Sequence, residues 1–277
     1  MMRTHFLQTY LFLFLHSITS THASLDVDGY VIDDSCPFSD ANAIDPKGLV
    51  VARALGEIGA YIHVNILADV ETGTSSERGF SAFFKTNANK DQVAKIFRSM
   101  TRGDVFTHRC LPGQTLRPTI HCVDADAVDS PDAKRCADKF LDRRITVDTG
   151  AFILDETPNV LHLCPMFFEL PPRPHSGTCP TVRHNHMTHT TLADNQLAYL
   201  VHEIAHFYGA TPYEYQLESC DLLMNENVDV NATEVYDVQG CAELDQDKQV
   251  VNAQNYALYF SGKSPIQKGK LLLRWSL

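Results

Sequence analysis

No two cysteines of this chain form a Cys-x-x-Cys pair, so the spacing of a cysteine-based zinc site is missing. Basic charge is scarce: 23 Lys and Arg against 34 Asp and Glu leave a formal net charge of −11. That balance excludes nucleic acid as a partner, because phosphate binding needs clustered Lys and Arg. No apolar run reaches the about 20 residues that cross a bilayer, so no membrane partner is expected. Internal repeats and low-complexity tracts are absent. An acidic surface remains, which serves solubility and gives some preference for cationic substrates.

What is present begins with a secretory pattern. Arg3 and His5 give a weakly basic start, Phe6 to Leu15 is a short apolar core, and Thr21-His22-Ala23 offers small residues where a signal peptidase inspects them. Cleavage is expected after Ala23, giving a signal peptide at 1–23 and one domain at 24–277. All eight cysteines lie in the expected mature part, an even number that suits up to four disulfides in an oxidising compartment. Asn231-Ala232-Thr233 is an N-glycosylation sequon. A 44% apolar composition is ordinary for a globular core.

The chain reads as helices, then a small sheet, then helices, an α+β arrangement. From Asp45 to Asp69, Leu49, Ala52, Ile58, Tyr61 and Ile62 fall near one helical face. Asn89 to Met100 is a second amphipathic helix with Gly103 just past its end. "RPTIHCV", "AFILDE" and "NVLHLCPMFF" read as short strands. Residues 169–189 are rich in Pro, Gly and His and read as a loop, and a last helix is expected over Ala253 to Phe260.

The chemistry centres on "YLVHEIAHFYG", Tyr199 to Gly209. Thr191 with Asp194 makes a box-like helix start, Gly209 a stop, and Leu197, Val201, Ile204 and Tyr208 a stripe toward the core. His202 and His206, at i and i+4, project from one face on adjacent turns, the spacing that lets two imidazoles bind one zinc ion. Glu203 is poor as a third ligand in that geometry but well placed to take a proton from a metal-bound water. The competing reading is a helix with two core-facing histidines and an exposed Glu. A catalytic zinc needs a third protein ligand. The extended HExxHxxGxxH form is excluded by Pro212, and Glu226 lies at the distance of a thermolysin-like glutamate without a supporting pattern.

"GFSAFFK", "NVLHLCPMFFELP", the motif helix and "EVYDVQGCAELDQDKQVVNAQNYALYF" together resemble the deuterolysin-like peptidases, or aspzincins, a secreted group that includes lysine-specific metallo-endopeptidases. The most specific stretch is Leu244 through "VNAQNYALY", which resembles the family's leucine, spacer and Asn-Ala-Asp-x-Tyr-Ala-Leu segment. The resemblance covers residues 79–260 and implies a zincin-like fold, one Zn2+ ion, and hydrolysis of protein or peptide substrates with water as nucleophile. The family takes its third ligand from an aspartate in Gly-Thr-x-Asp-x-x-Tyr-Gly. Here Cys241 and Leu244 set a register with Tyr236 on the family tyrosine, Thr233 at the ligand position, and Asp237 at the second glycine. Asp237 is therefore the preferred third ligand, with Asp229, Glu234, Glu226, Asp221 and Glu218 as alternatives; its competing role is a helix N-cap. Tyr236 resembles the tyrosine that assists the oxyanion, against a packing role.

The expected function is a secreted zinc endopeptidase with His202, His206 and Asp237 on the metal, Glu203 as base and Tyr236 assisting. The alternative is an inactive secreted zinc-binding antigen or scavenger, favoured by the altered ligand segment and by His184, His186 and His189 in the loop, which otherwise read as loop surface. His121 and His162 read as core or sheet-face residues. Cys220–Cys241 and Cys164–Cys179 are candidate disulfides, and Lys134-Arg135 and Arg143-Arg144 candidate processing sites.

Overall fold

The computed structural model describes residues 24–39, 45–72, 80–84, 87–108, 111, 113–124, 126–127, 129–137, 139–142, 145–148, 150–154, 157–172, 195–210, 235–236 and 238–263. The expected signal peptide lies outside them. In chain order the elements are β1 (Leu25–Val27), β2 (Tyr30–Ile32), α1 (Lys47–Tyr61), a π-helical turn (Ile62–Ile66), α2 (Leu67–Thr72), α3 (Phe80–Phe84), a 3-10 turn (Asn87–Asn89) and α4 (Lys90–Arg102). Then follow β3 (Thr119–Cys122), α5 (Pro131–Ala137), β4 (Lys139–Asp142), β5 (Ile145–Asp148), β6 (Ala151–Leu154), β7 (Thr157–Leu163) and α6 (Pro165–Glu169). The last are α7 (Gln196–Phe207), α8 (Val238–Glu243), α9 (Gln246–Gln249) and α10 (Ala253–Lys263). The architecture is α+β.

Five strands form one sheet in the order β1-β2-β3-β7-β6, with β4 and β5 a separate hairpin. The inner strands β2, β3 and β7 run parallel; β1 and β6 are antiparallel edges. Alternation along the strands sorts their side chains between two faces. Ile32, Ile120, Cys122, Leu161 and Leu163 enter the apolar core together with residues of α1, α4, α7 and α10. His121 and His162, registered opposite each other, lie on the other face.

The first long helix corrects the expected face. Leu49 is 44% exposed, whereas Ile58 and Ile62 are buried as expected; with Leu67 buried beside it, the buried stripe is Val51, Ala54, Leu55, Ile58, Ile62, Ile66 and Val70. From Ile58 onward these step by four, which overshoots a 3.6-residue turn; the wider turn over Ile62–Ile66 takes up the drift and keeps the stripe on the core. The run Lys47–Glu71 is long and apolar enough, by length and composition alone, to cross a membrane. Its stripe packs into the common core, as a core helix does. In α4 the buried face is Val93, Ala94, Ile96, Phe97 and Met100, as its periodicity predicts. Gly103 ends this helix at φ +52°, and a Cβ there would meet the β1–β2 turn, 2.6 Å from Asp28 O. Gly29 of that turn has φ +88° and would put a Cβ 2.2 Å from Arg102 O. The two glycines let the turn dock on the helix end. Tyr30 completes this join, donating from its hydroxyl to Met100 O at 2.7 Å.

The strand expected over "NVLHLCPMFF" stops at Leu163, because Pro165 opens the short helix α6 at its N1 position. α10 brings Tyr256 and Tyr259 onto Phe84 and Phe97, with ring centroids 5.1 to 6.1 Å apart. Such pairs contribute about 0.5–1.5 kcal/mol each beyond their buried area. Two disulfides brace the sheet, Cys36–Cys122 and Cys136–Cys164. The second overturns the expected Cys164–Cys179 pairing: α5 lies over the end of β7 and brings Cys136 within bonding distance. Cys220, and with it the Cys220–Cys241 pairing, lies outside the described residues. Of the dibasic pairs, Lys134-Arg135 sits on the exposed side of α5 and Arg143-Arg144 is outside the described residues.

Candidate metal centre

The HExxH segment forms α7. Thr191 and Asp194 lie outside the described residues; the helix starts at Gln196, where the Asn195 side chain accepts from Ala198 N at 3.0 Å. At the other end Gly209, φ +100°, donates to His206 O at 3.3 Å, and Ala210 donates to Ala205 O at 3.0 Å. This crossed pair of bonds is a Schellman stop, as Gly209 predicts. The helix is buried more widely than a stripe: besides Leu197, Val201 and Ile204, His202 is 7% and Glu203 9% exposed. An exposed glutamate, the competing reading, is not what the fold gives.

The rings of His202 and His206 are 5.1 Å apart at 80° to each other. His202 Nδ1 lies 2.8 Å from Gln254 Oε1, and both side chains are buried. An amide oxygen only accepts, so Nδ1 carries the hydrogen, and in the neutral ring the lone pair is then on Nε2. That is the state in which an imidazole binds a metal, with a neighbouring carbonyl fixing its tautomer. The ring of Tyr236 stacks on His202, centroids 5.6 Å apart and 20° from parallel. These side chains suit a zinc ion: two imidazole donors one helical turn apart, one with its tautomer fixed. Asp237, Asp229, Glu234, Glu226, Asp221 and Glu218 all lie outside the described residues.

Gln254 and Asn252 are functional candidates that sequence reasoning passed over. The signal was there, since Gln254 stands where the resembled segment has its aspartate. Asn252 Oδ1 accepts from Val235 N at 3.0 Å, and its Nδ2 donates to Val235 O at 2.9 Å. A backbone segment is thereby clamped one residue before Tyr236. Asn255 Nδ2 donates to Phe83 O at 2.6 Å and to Cys241 O at 3.2 Å. The segment 252–256 thus orients a histidine, clamps the tyrosine's backbone and fills the aromatic core.

A second cluster lies across the sheet. His121 Nδ1 is 2.8 Å from Asp33 Oδ2. Its ring is 5.2 Å from that of His162, which stacks on Phe152 at 4.8 Å. His162 Nδ1 lies 3.3 Å from Asp132 Oδ2, yet neither ring nitrogen makes a hydrogen bond among the described residues. Burial pushes the Asp33 carboxyl up, but hydrogen bonds from His121 and Ser35 outweigh it and hold it below the usual range. The same bond raises His121, while burial lowers His162.

No protein-family model and no curated protein matches this chain. Among solved structures it is similar to a zinc peptidase from Grifola frondosa, at 17% identity and a TM-score of 0.44, over 77% of this chain and 93% of that one.

Proposed function

We propose that the chain is a secreted zinc-dependent endopeptidase, with a signal peptide at 1–23 and one zincin-like domain at 24–277. The observation that carries this is the pair His202 and His206, one helical turn apart with rings 5.1 Å from each other, and His202 Nδ1 held by Gln254 Oε1 at 2.8 Å. His202 and His206 hold the metal, and Asp237, one residue beyond Tyr236, is the proposed third ligand. Bound zinc supplies an acidified water and polarises the peptide carbonyl. The Glu203 carboxylate accepts the water's proton as the oxygen attacks, then returns it to the departing amine nitrogen. The Tyr236 hydroxyl donates a hydrogen bond to the oxygen on which negative charge develops. Two disulfides are compatible with an extracellular location.

The test is cleavage of a complex peptide mixture by the mature protein, read by mass spectrometry, with Glu203→Gln in parallel. The wild type cleaves; the variant binds zinc equally and does not. Full activity in Glu203→Gln would refute the mechanism. Zinc binding without cleavage by either protein would leave the scavenger reading in its place.

A further inference from the structure

We propose that His121, Asp132 and His162 bind a second divalent metal ion of the zinc class, on the sheet face opposite α7, with Asp33 orienting His121. The inference does not rest on the peptidase reading.

The site follows from strand register. Phe152 pairs with His162, and His162 with His121, across three neighbouring strands. Asp33 follows the end of β2 and donates from its backbone to Ile120 O at 3.0 Å, which extends the row to a fourth strand. β2, β3, β7 and β6 therefore present carboxylate, imidazole, imidazole and aromatic ring in line. Their neighbours Ile120 and Leu161 point the other way, into the core that α7 shares. The cluster and the HExxH helix are on opposite sides of the sheet.

α5 supplies the third donor. Asp132 and Cys136 are four apart and share a face of that helix. His162 and Cys164 are two apart and share a face of extended chain; Cys164 has φ −74° and ψ 159°. The Cys136–Cys164 disulfide therefore docks α5 so that Asp132 meets His162, with Oδ2 3.3 Å from Nδ1.

His162 points to a ligand. It is 7% exposed; Nδ1 has only the Asp132 carboxylate, at 3.3 Å, and Nε2 has no hydrogen-bond partner among the described residues. A buried polar group left so is destabilising, because its lost hydration is not made good. A metal ion on one nitrogen removes that cost. His121 has the complementary arrangement: Nδ1 is engaged with Asp33, leaving Nε2 as the donor, the carboxylate–histidine–metal pattern. The donor atoms of His121, Asp132 and His162 all lie within 4.8 Å of one another. Zinc bonds of about 2.0–2.1 Å ask for slightly shorter separations, which side-chain rotation supplies. Two nitrogens and one oxygen suit zinc and its neighbours; calcium and magnesium require oxygen shells. An open cleft of about 1010 Å³, lined by His121, Asp132, Asp34 and Asp124, gives the ion a route in and room for a water as fourth ligand.

The experiment counts zinc on the folded mature protein, in a background where His184, His186 and His189 are changed to alanine so that the loop cannot chelate. Zinc is measured by mass spectrometry after removal of free ion, and affinity by titration calorimetry. Two ions per chain are expected. His162→Phe and Asp132→Asn each hold one, as does His206→Ala, and His162→Phe with His206→Ala holds none. Asp33→Asn weakens the second ion by about 10- to 100-fold. Asp132 is half-exposed, so its variant serves if His162→Phe fails to fold. A count that neither His162→Phe nor Asp132→Asn lowers overturns the proposal, as does a wild type that binds no zinc. One ion, lost in His162→Phe and kept in His206→Ala, upholds it and sinks the HExxH centre instead. Two ions per chain would then be no sign of scavenging by themselves; the Glu203→Gln comparison decides that.

Discussion

Replacing Gln254 tests a hydrogen bond that orients the candidate centre. Gln254 Oε1 sits 2.8 Å from His202 Nδ1, with the two residues 6% and 7% exposed, so water cannot substitute for the lost acceptor. Gln254→Met keeps the length of the side chain and removes the oxygen. The imidazole then has a buried N–H without a partner, at a cost of about 1–3 kcal/mol. Part falls on folding, and part on zinc affinity, because the tautomer with the hydrogen on Nε2 is no longer disfavoured. Losing an outer-shell partner weakens metal binding by about 10- to 100-fold, or about 1.4–2.8 kcal/mol. The opposite change, Gln254→Glu, supplies an anionic acceptor, makes His202 a better donor and tightens zinc. Chelator competition, run with Asp132→Asn in place and His184, His186 and His189 changed to alanine so that only this centre is read, gives both constants. Thermal melting of the metal-free proteins separates the folding share. If Gln254→Met bound zinc within twofold of the parent while melting normally, the bond would be irrelevant to the centre and the orientation argument would fail.

Asn252→Ala removes both bonds to the Val235 backbone and should cost about 2–3 kcal/mol in stability, with cleavage falling further than zinc affinity because Tyr236 is displaced; thermal melts and zinc titration separate the effects. Changing Cys136 and Cys164 together to serine opens a link between residues 28 apart, and a loop-entropy treatment gives about 3.6 kcal/mol, read by denaturant unfolding. The Cys36–Cys122 link, 86 apart, gives about 4.6 kcal/mol on the same basis. Gly29→Ala adds a methyl against Arg102 O at a φ of +88° and should lower stability by at least about 2 kcal/mol, and a melt within a degree of wild type would contradict the close approach.

Local rules made the helices legible. Val93, Ile96, Phe97 and Met100 carry the 3.6 period, and Asn89 and Gly103 mark the ends, so α4 is readable from its own residues. The first helix misled at Leu49 because the step of nine residues from Leu49 to Ile58 is about two and a half α-helical turns, which puts Leu49 on the side away from the core that Ile58 faces. Strands β1 and β2 are three residues each, too short for alternation to declare them. They exist because Arg117 reaches back to Asp26 and Gly29, and because β3 offers an edge. The expected Cys164–Cys179 bridge failed for the same kind of reason: proximity in sequence does not reveal that α5 folds over β7.

The site divides along the same line. His202, Glu203 and His206 are visible in sequence because helical spacing alone puts them on neighbouring turns. Gln254 and Asn252 act from another helix, through single hydrogen bonds that no local pattern encodes. The row Asp33, His121, His162 and Phe152 is less local still. Its members are up to 129 positions apart in sequence, and only the parallel pairing of β2, β3 and β7 aligns them. Each of those histidines, taken alone, reads as an ordinary sheet residue. Register turns them into a pair, and the α5 disulfide brings the acid. A one-residue slip between β3 and β7 would send His121 and His162 to opposite faces. Variants that shift that register should therefore lose the second ion before they lose the fold, whereas the α7 pair, set by helix geometry, should keep its zinc.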